Sequence, residues 1–309
     1  TTVAAMFSAA ALRNPSRALA ILSMAAMAAA PTGQQRIALQ APGADTLPPS
    51  TPWPSNAAVA ILLRGQAFRG RPTEFGRSKE LGCNRTDVVR ELQLRQGREV
   101  VANLVEPLEQ LGNRVDLIVT ETSGGCDLDT ELLAVYDANN SGRSRIVASD
   151  LTTIPSTQGE GVRQILDLFE GCVRHGQCVR ESAAPGNPYA LIMVARHDIT
   201  WERRITETSP PADPGKFNFL SKCELNAFLA EGDCHNDAFF MFPGQGFDAF
   251  DKALGEKNCF APKFDNASDG HGCAIYVRRS LGENSTTTLT DWRPKHTVRD
   301  PGNPVAHLE

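Results

Sequence analysis

The sequence predicts an α/β protein with a mostly parallel sheet and flanking helices. Apolar runs of strand length alternate along the chain with stretches of helical apolar spacing, which is the order that builds a parallel sheet. One run, 191–195, is apolar on five consecutive residues, as central strands covered on both faces are. The 309 residues, 41% hydrophobic and 22% charged, suffice for the full core of one compact domain.

The elements follow one another after residue 57. Four strands are predicted at 58–65, 114–122, 144–151 and 189–195. The helices between them are predicted at 86–112, 128–138 and 159–176, the first with Thr86 or Asp87 as a cap and Gly112 as its stop. Two further strands at 216–224 and 237–244 and helices at 247–258 and 271–284 are separated by polar loops at 206–215 and 261–270. The C-terminal half is therefore expected to be rich in loops.

The N-terminal region, 1–42, has the composition of a targeting segment. Residues 1–44 lack Asp and Glu, and a 13-residue apolar run at 18–30 follows two arginines and precedes Pro31, as in a secretory signal. A membrane span needs about 20 apolar residues, so an anchor would require the apolar residues 3–12 as well. An organelle transit peptide has a similar composition. We expect a targeting signal or membrane anchor here.

The rest of the chain divides by composition. Four prolines at 43–56 indicate a linker, which precedes a folded domain at 57–300 and a short tail at 301–309.

Cysteines and glycosylation motifs favour the secretory route. The eight cysteines, none in CxxC spacing, are interpreted as disulfides rather than buried thiols, with Cys172 and Cys178 as a local pair. Four Asn-x-Ser/Thr motifs allow N-glycosylation if the chain enters a secretory lumen; they begin at Asn84, Asn139, Asn266 and Asn284.

Charge and missing motifs exclude several functions. A formal net charge of −5 provides no basic footprint, so nucleic acid is not an expected partner. The residues after the first strand contain no GxGxxG, and the chain has no GxxxxGK[ST], GxSxG or HExxH. The missing phosphate loop disfavours a kinase or a sulfotransferase.

Polar residues stand where predicted strands end, which is the edge at which open α/β sheets bind ligands. They are Arg64, Gln66, Glu121, Asp150, Arg196 and Asp198. The apolar run at 191–195 is followed directly by Arg196, His197 and Asp198, and buried charges need partners.

The order of several segments resembles a poorly characterised family of GT-A-like glycosyltransferases from algae, protists and large viruses. The resemblance covers about 58–280 and lies in "AVAILLRGQAFR", "LVEPLEQLGNRVDLIVTE", "STQGEGVRQILDLF", "YALIMVARHDIT" and "NDAFFMFPG". It implies a GT-A-like, Rossmann-type sheet that binds a nucleotide sugar.

The resemblance also implies a cation site. In GT-A enzymes an acidic DxD motif after a strand binds Mn²⁺ or Mg²⁺ against the donor diphosphate, whose departing charge the cation neutralises. Asp198 matches the last acid of that motif, whereas Arg196 stands at the first, and His271 is a candidate second ligand. Alternatively, Arg196 pairs with the diphosphate through its guanidinium fork. An ion pair between Asp198 and a neighbouring Arg is the structural alternative. His271 is otherwise a loop residue, as a lone histidine beside glycines more often is.

Other positions receive roles from the same resemblance. Asp237 is the candidate base that deprotonates an acceptor hydroxyl, or else an Asx residue in a turn. Arg64 and Gln66 are expected at the nucleotide, or else in a solvated loop. Ser156 and Gln158 are expected in the same cleft, although Ser156 also fits a helix cap.

These expectations combine into a lumenal glycosyltransferase of the secretory pathway, in the Golgi, that moves a hexose or related sugar from a nucleotide sugar to a glycan or glycoprotein. The alternatives are a non-catalytic secreted binding module on the same scaffold and another secretory transferase, such as a sulfotransferase. An organelle-targeted or secreted protein is the alternative location.

Overall fold

The structure is a computed structural model that describes part of the chain. The described residues are 51–68, 83, 85–121, 126–138, 144–152, 158–178, 188–208, 210–221, 235–256, 274, 277–289 and 292, with backbone alone for 158–159, 221, 235–237 and 256. They belong to one compact unit, Pro49–Glu309. The predicted targeting segment and the tail lie outside this part. Within it, no helix is both long and apolar enough to cross a membrane.

In the described part of the chain, seven strands form one sheet, which confirms the predicted α/β class with a mostly parallel sheet. Their bounds are β1 Ala58–Arg64, β2 Arg114–Thr120, β3 Ile146–Asp150, β4 Leu191–Arg196, β5 Phe217–Ser221, β6 His235–Pro243 and β7 Thr286–Leu289. The spatial order is β3-β2-β1-β4-β6-β5-β7. Strand β6 runs antiparallel to β4 and β5, and every other neighbouring pair is parallel.

The helices predicted at 86–112, 128–138, 159–176 and 247–258 are present in the described residues, with one difference in the first. Their bounds are α1 Asp87–Val100, α2 Glu106–Glu109, α3 Asp129–Asp137, α4 Gln158–Arg174 and α5 Phe247–Glu256. A π-helical turn, Val101–Val105, separates α1 from α2, where the sequence predicted one continuous helix. Pro107 gives the physical reason, because its ring would clash with the carbonyl of Asn103 in an uninterrupted α-helix. Thr86 precedes α1 in extended conformation, without a side-chain capping bond.

Strand β7 was not predicted. Residues 277–281 are helical, as expected within 271–284, and Gly282 ends that turn at a φ of 83°. The three threonines of β7 are β-branched and favour strands, but a four-residue run is too short to show a period.

Helices cover both faces of the sheet, so the central strands are apolar on consecutive residues. In β1, Val59, Ile61 and Leu63 face one core, formed with α1 and α3. Ala60 and Leu62 face the other core, formed with α4 and α5. This two-sided burial is the reason why β1 and β4 lack polar alternation.

Two disulfides join described cysteines. Cys83–Cys126, the long-loop disulfide, joins the segment after β1 to the segment after β2. Cys172–Cys178, the short-loop disulfide, closes the end of α4 and confirms the predicted local pair. The other four cysteines lie outside the described residues. Disulfides are compatible with a secreted or lumenal location.

The described end of the predicted linker packs on the folded unit. The Asn113 side chain donates to the Pro54 carbonyl at 2.7 Å and accepts from the Ala57 N–H at 3.0 Å. Trp53 packs against the core on the α1 face. Residues 51–56 therefore fix the entry of the chain into β1.

Candidate functional site

Strands β1 and β4 form the switch point of the sheet. From β1 the chain goes to β2 and β3 on one side and then returns to β4 on the other. Arg64, the last residue of β1, pairs in register with Arg196, the last residue of β4. Open α/β sheets bind ligands outside the carboxyl ends of strands at such a point. Two predicted site residues therefore lie side by side where the fold favours a ligand.

Arg196 and Asp198 form a bidentate ion pair at this edge. The Arg196 Nε and Nη2 atoms donate to the two oxygens of Asp198 at 2.8 and 2.7 Å. Their side chains are 4% and 5% exposed. The Trp201 indole donates to the Arg196 carbonyl at 3.1 Å, which holds the following loop against β4. The pair is the strand-end arrangement that the sequence offered as one alternative for Asp198.

The turn after β1 passes close to this pair. Gly65 has a φ of 144°, and a Cβ atom there would stand 2.8 Å from Asp198 Oδ1 and 2.9 Å from His197 Cδ2. Only glycine allows that approach without strain. One residue further on, Gln66 is buried, and the Ala67 N–H donates to Glu121 Oε1 at 2.6 Å. The β1 turn is thus tied to the end of β2.

His197 joins β4 to three other elements. Its N–H donates to the Arg64 carbonyl at 3.0 Å, and its own carbonyl accepts from Gln93 of α1 at 2.8 Å. Its Nδ1 lies 3.2 Å from the hydroxyl of Tyr136 in α3. His197 is fully buried and serves as a structural link.

The site combines two buried arginines with the carboxylates of Asp198 and Glu121. Burial, followed by the negative charges of Asp198 and Glu121, raises the pKa of Tyr136 well above its ordinary value. The Tyr136 hydroxyl therefore stays neutral beside two carboxylates. Arg64 and Arg196 supply two buried positive charges at the same edge. An added anionic ligand would reach these two guanidinium groups only after the residues that cover them move.

The remaining predicted residues are placed only in part. Asp237 lies in β6, two residues before Phe239, whose pairing with Ala195 sets the Asp237 backbone at the carboxyl edge of β4. Gln158 is the first residue of α4. Side chains are not described at these two positions, and Ser156 and His271 lie outside the described residues.

Two carboxylates at the strand ends accept hydrogen bonds that the sequence did not predict. Asp150 accepts from the N–H and hydroxyl of Thr152 at 3.0 and 3.1 Å and from the Gln164 side chain at 3.2 Å. Glu121 accepts from the β1 turn, as described above. No local signal predicts the latter, since 54 residues separate Glu121 from Ala67.

The described side chains do not by themselves form a site for a divalent cation. Both oxygens of Asp198 accept from Arg196. In the described part of the chain, the only convergent group of potential ligands is Cys83, Cys126 and Asp127, and both of these cysteines are in the long-loop disulfide. A cation ligand role for Asp198 stays a prediction.

An open cavity of about 400 Å³ lies at the other edge of the sheet. Tyr189 and Ala190, which precede β4, line it together with Pro243, the last residue of β6, and Pro52 and Pro214. The described residues that line it include no charged side chain, so their chemistry does not match the polar cluster at the carboxyl edge.

Comparison with known proteins adds no relative. No protein-family model matches the chain, and no curated protein matches it. Functional inference therefore depends on the geometry of the carboxyl edge.

Proposed function

We propose that the protein is a nucleotide-sugar-dependent glycosyltransferase whose donor binds outside the carboxyl ends of β1 and β4. The observation that carries the proposal is the pairing of Arg64 with Arg196 at the switch point of a mostly parallel sheet. The sheet and its flanking helices are compatible with the GT-A-like scaffold that the sequence resembles.

The two arginines suit the diphosphate of a nucleotide sugar. A guanidinium group presents several N–H donors in a planar fork that matches phosphate oxygens. As the bond between the sugar and the diphosphate breaks, negative charge grows on the leaving oxygen. Positive groups held in place stabilise that charge without reorganising.

Asp198 has a positioning role in this proposal. Its two bonds fix the plane of the Arg196 guanidinium. The leaving-group charge is therefore assigned to arginines, and no step requires a metal. A strict Mn²⁺ or Mg²⁺ requirement would return Asp198, with His271, to the role of cation ligand.

Asp237 is the proposed base. Its backbone lies at the carboxyl edge, beside the end of β4. The acceptor oxygen forms a bond with the anomeric carbon, the bond from that carbon to the diphosphate oxygen breaks, and the acceptor proton goes to the Asp237 carboxylate. Gln66, Ser156 and Gln158 complete the proposed donor site.

Binding of the nucleotide sugar must expose Arg64 and Arg196. Arg64 and Arg196 are each 3% exposed, so phosphate oxygens reach them only if the covering residues move. Such closure and opening around a donor is common in transferases that exclude water from the reacting atoms.

The acceptor is proposed to be a glycan or glycoprotein. The two disulfides support a lumenal setting, for which we propose the Golgi, with the N-terminal segment as signal or anchor.

One observation favours a second candidate, a non-catalytic binding module. The Arg196–Asp198 pair satisfies both groups inside the protein, as a purely structural strand end would. In that case the carboxyl edge has no nucleotide affinity.

A thermal-shift panel separates the candidates. The unit from Pro49 onward, with disulfides formed, is heated with UDP, GDP, CMP or adenosine 3′,5′-bisphosphate, each with and without Mn²⁺. A nucleotide at 100 times its Kd stabilises the fold by about 2.7 kcal/mol, which raises Tm by roughly 5–10 °C. A shift with one nucleoside mono- or diphosphate supports the transferase and identifies the base. A shift with the bisphosphate alone supports a sulfotransferase, and no shift with any of them supports the binding module.

A further inference from the structure

We propose that Asn284 is an N-glycosylation site. It begins the motif Asn284-Ser285-Thr286, whose middle residue is not proline. Of the four such motifs in the chain, this is the one whose asparagine lies among the described residues. The proposal depends on entry into a secretory lumen and does not depend on the transferase activity.

The local structure presents Asn284 to solvent. It is the middle residue of a short 3₁₀ turn, Glu283–Ser285, and all three residues of the turn are exposed. The turn follows Gly282, which ends the preceding helical residues at a φ of 83°. The Ser285 N–H donates to the Gly282 carbonyl at 3.1 Å, which closes the turn. The Asn284 side chain is therefore open to solvent.

The buried hydroxyl of Thr286 does not oppose the modification. Thr286 is buried as the first residue of β7, and its hydroxyl donates to the Glu283 carbonyl at 3.2 Å. A lumenal transferase needs that hydroxyl accessible while the acceptor segment is extended, before β7 pairs with β5. After folding, only the Asn284 side chain has to remain outside, and it does.

Asn284 lies next to an edge of the sheet that the described strands form. Among the described strands, β7 is last in the strand order and pairs with β5. An edge strand presents unpaired N–H and C=O groups to other chains, and proteins protect such edges. A glycan two residues before β7 would cover this edge with a hydrated, bulky group.

The position is also remote from the proposed donor site. Thr286 pairs in parallel with Phe217, the first residue of β5, and β5 runs in the same direction as β4. Asn284 therefore lies at the amino edge, whereas Arg64 and Arg196 lie at the carboxyl edge. Modification and nucleotide binding are compatible in one molecule.

The modification is a transfer from a lipid-linked oligosaccharide. The Asn284 Nδ2 atom bonds to the anomeric carbon of the first sugar, and the bond from that carbon to the lipid diphosphate breaks. The lipid diphosphate leaves with the electron pair, and the amide proton goes to the base of the lumenal transferring enzyme.

The test uses the full chain behind an added cleavable signal peptide, expressed in eukaryotic cells. Purified protein is deglycosylated by peptide N-glycosidase in ¹⁸O-water, and the peptide containing position 284 is examined by mass spectrometry. We expect the ¹⁸O label at Asn284 in the wild type and in Thr286→Ser, which keeps the motif. Asn284→Gln and Thr286→Val, a strand-compatible change that removes the hydroxyl, are expected to lose it.

Secreted wild-type protein with unlabelled Asn284 overturns the proposal, provided that a reporter glycoprotein in the same cells is modified. Retention of the label in Thr286→Val overturns it as well, since the label would then not require the motif. Nucleotide affinity of Asn284→Gln, measured in parallel, is expected to equal that of the wild type. Failure of one proposal is therefore visible without failure of the other.

Discussion

Removal of the Asp198 carboxylate tests whether the Arg196–Asp198 pair is a buried structural link. In Asp198→Ala, the Arg196 guanidinium loses two charge-assisted bonds of 2.8 and 2.7 Å while it stays buried. Loss of one partner from a buried pair destabilises a protein by about 3–5 kcal/mol. In a domain of this size that lowers Tm by roughly 6–20 °C.

Urea unfolding followed by tryptophan fluorescence is a suitable assay. Trp201 is buried, packs on Trp292 with ring centroids 4.7 Å apart and donates to the Arg196 carbonyl. Its emission therefore reports on this edge of the sheet. The matched control is Asp167→Ala, since Asp167 is 57% exposed and pairs with Arg163 on the surface. The control is expected to lose about 0–1 kcal/mol.

A double-mutant cycle then isolates the interaction. Arg196→Met keeps a long apolar side chain, and the pair of substitutions together is expected to be less destabilising than the sum of the single ones by about 1–3 kcal/mol. An Asp198→Ala loss no larger than that of Asp167→Ala, or additive single effects, would refute the buried link.

Three further perturbations test other parts of the structure. Gly65→Ala is expected to lower the urea midpoint by an amount equivalent to about 1–3 kcal/mol, because the added Cβ would lie 2.8 Å from Asp198 Oδ1 at a φ of 144°; an unchanged midpoint contradicts the close approach. The free energy of unfolding of the wild type is expected to fall as pH rises above about 10, because the unfolded chain then releases the Tyr136 proton before the folded chain does. Tyr136→Phe should reduce that fall, and identical pH profiles of the two proteins would refute this. The two disulfides close separations of 43 and 6 residues, so loss of the long-loop disulfide through paired Cys→Ser changes should cost about 4 kcal/mol and loss of the short-loop disulfide about 2; an equal or reversed order in calorimetry contradicts chain entropy as the cause.

Most of the first half of the fold could be predicted from local sequence. The apolar runs of β1 and β4 and the helical spacing of α4 arise from burial on two faces or on one stripe, and both leave a period in the sequence. The π-helical turn left only Pro107 as a signal, and a helix with a tolerated proline has the same pattern.

Strand β7 and the order of the strands were beyond local reasoning. A four-residue strand carries little pattern, and β7 is fixed by its pairing with β5, about 70 residues earlier in the chain. The antiparallel direction of β6 follows likewise from contacts with β4 and β5 rather than from its own residues.

In the candidate site, too, some contacts could be predicted from local sequence and others depend on how distant segments pack. The positions of Arg64 and Arg196 at strand ends were expected, and the Arg196–Asp198 pair is a local contact between residues two apart. The side-by-side pairing of Arg64 with Arg196 was not predicted, because it depends on the adjacency of β1 and β4. The link of His197 to Tyr136 joins residues 61 apart and depends on how α3 packs on the sheet. No motif specifies such a contact.

The central claim, that a nucleotide sugar binds through Arg64 and Arg196, is tested most directly by calorimetric titration of the nucleotide that the panel identifies. Wild type is compared with Arg64→Lys, which keeps the charge and loses the fork, and with Arg98→Lys, a control at a 53% exposed position of α1. Loss of a charge-assisted bond of about 1.5–3 kcal/mol predicts a Kd weakened roughly 10- to 100-fold in Arg64→Lys and unchanged in Arg98→Lys. Equal affinity in all three proteins, with each folded by tryptophan fluorescence, would contradict the claim.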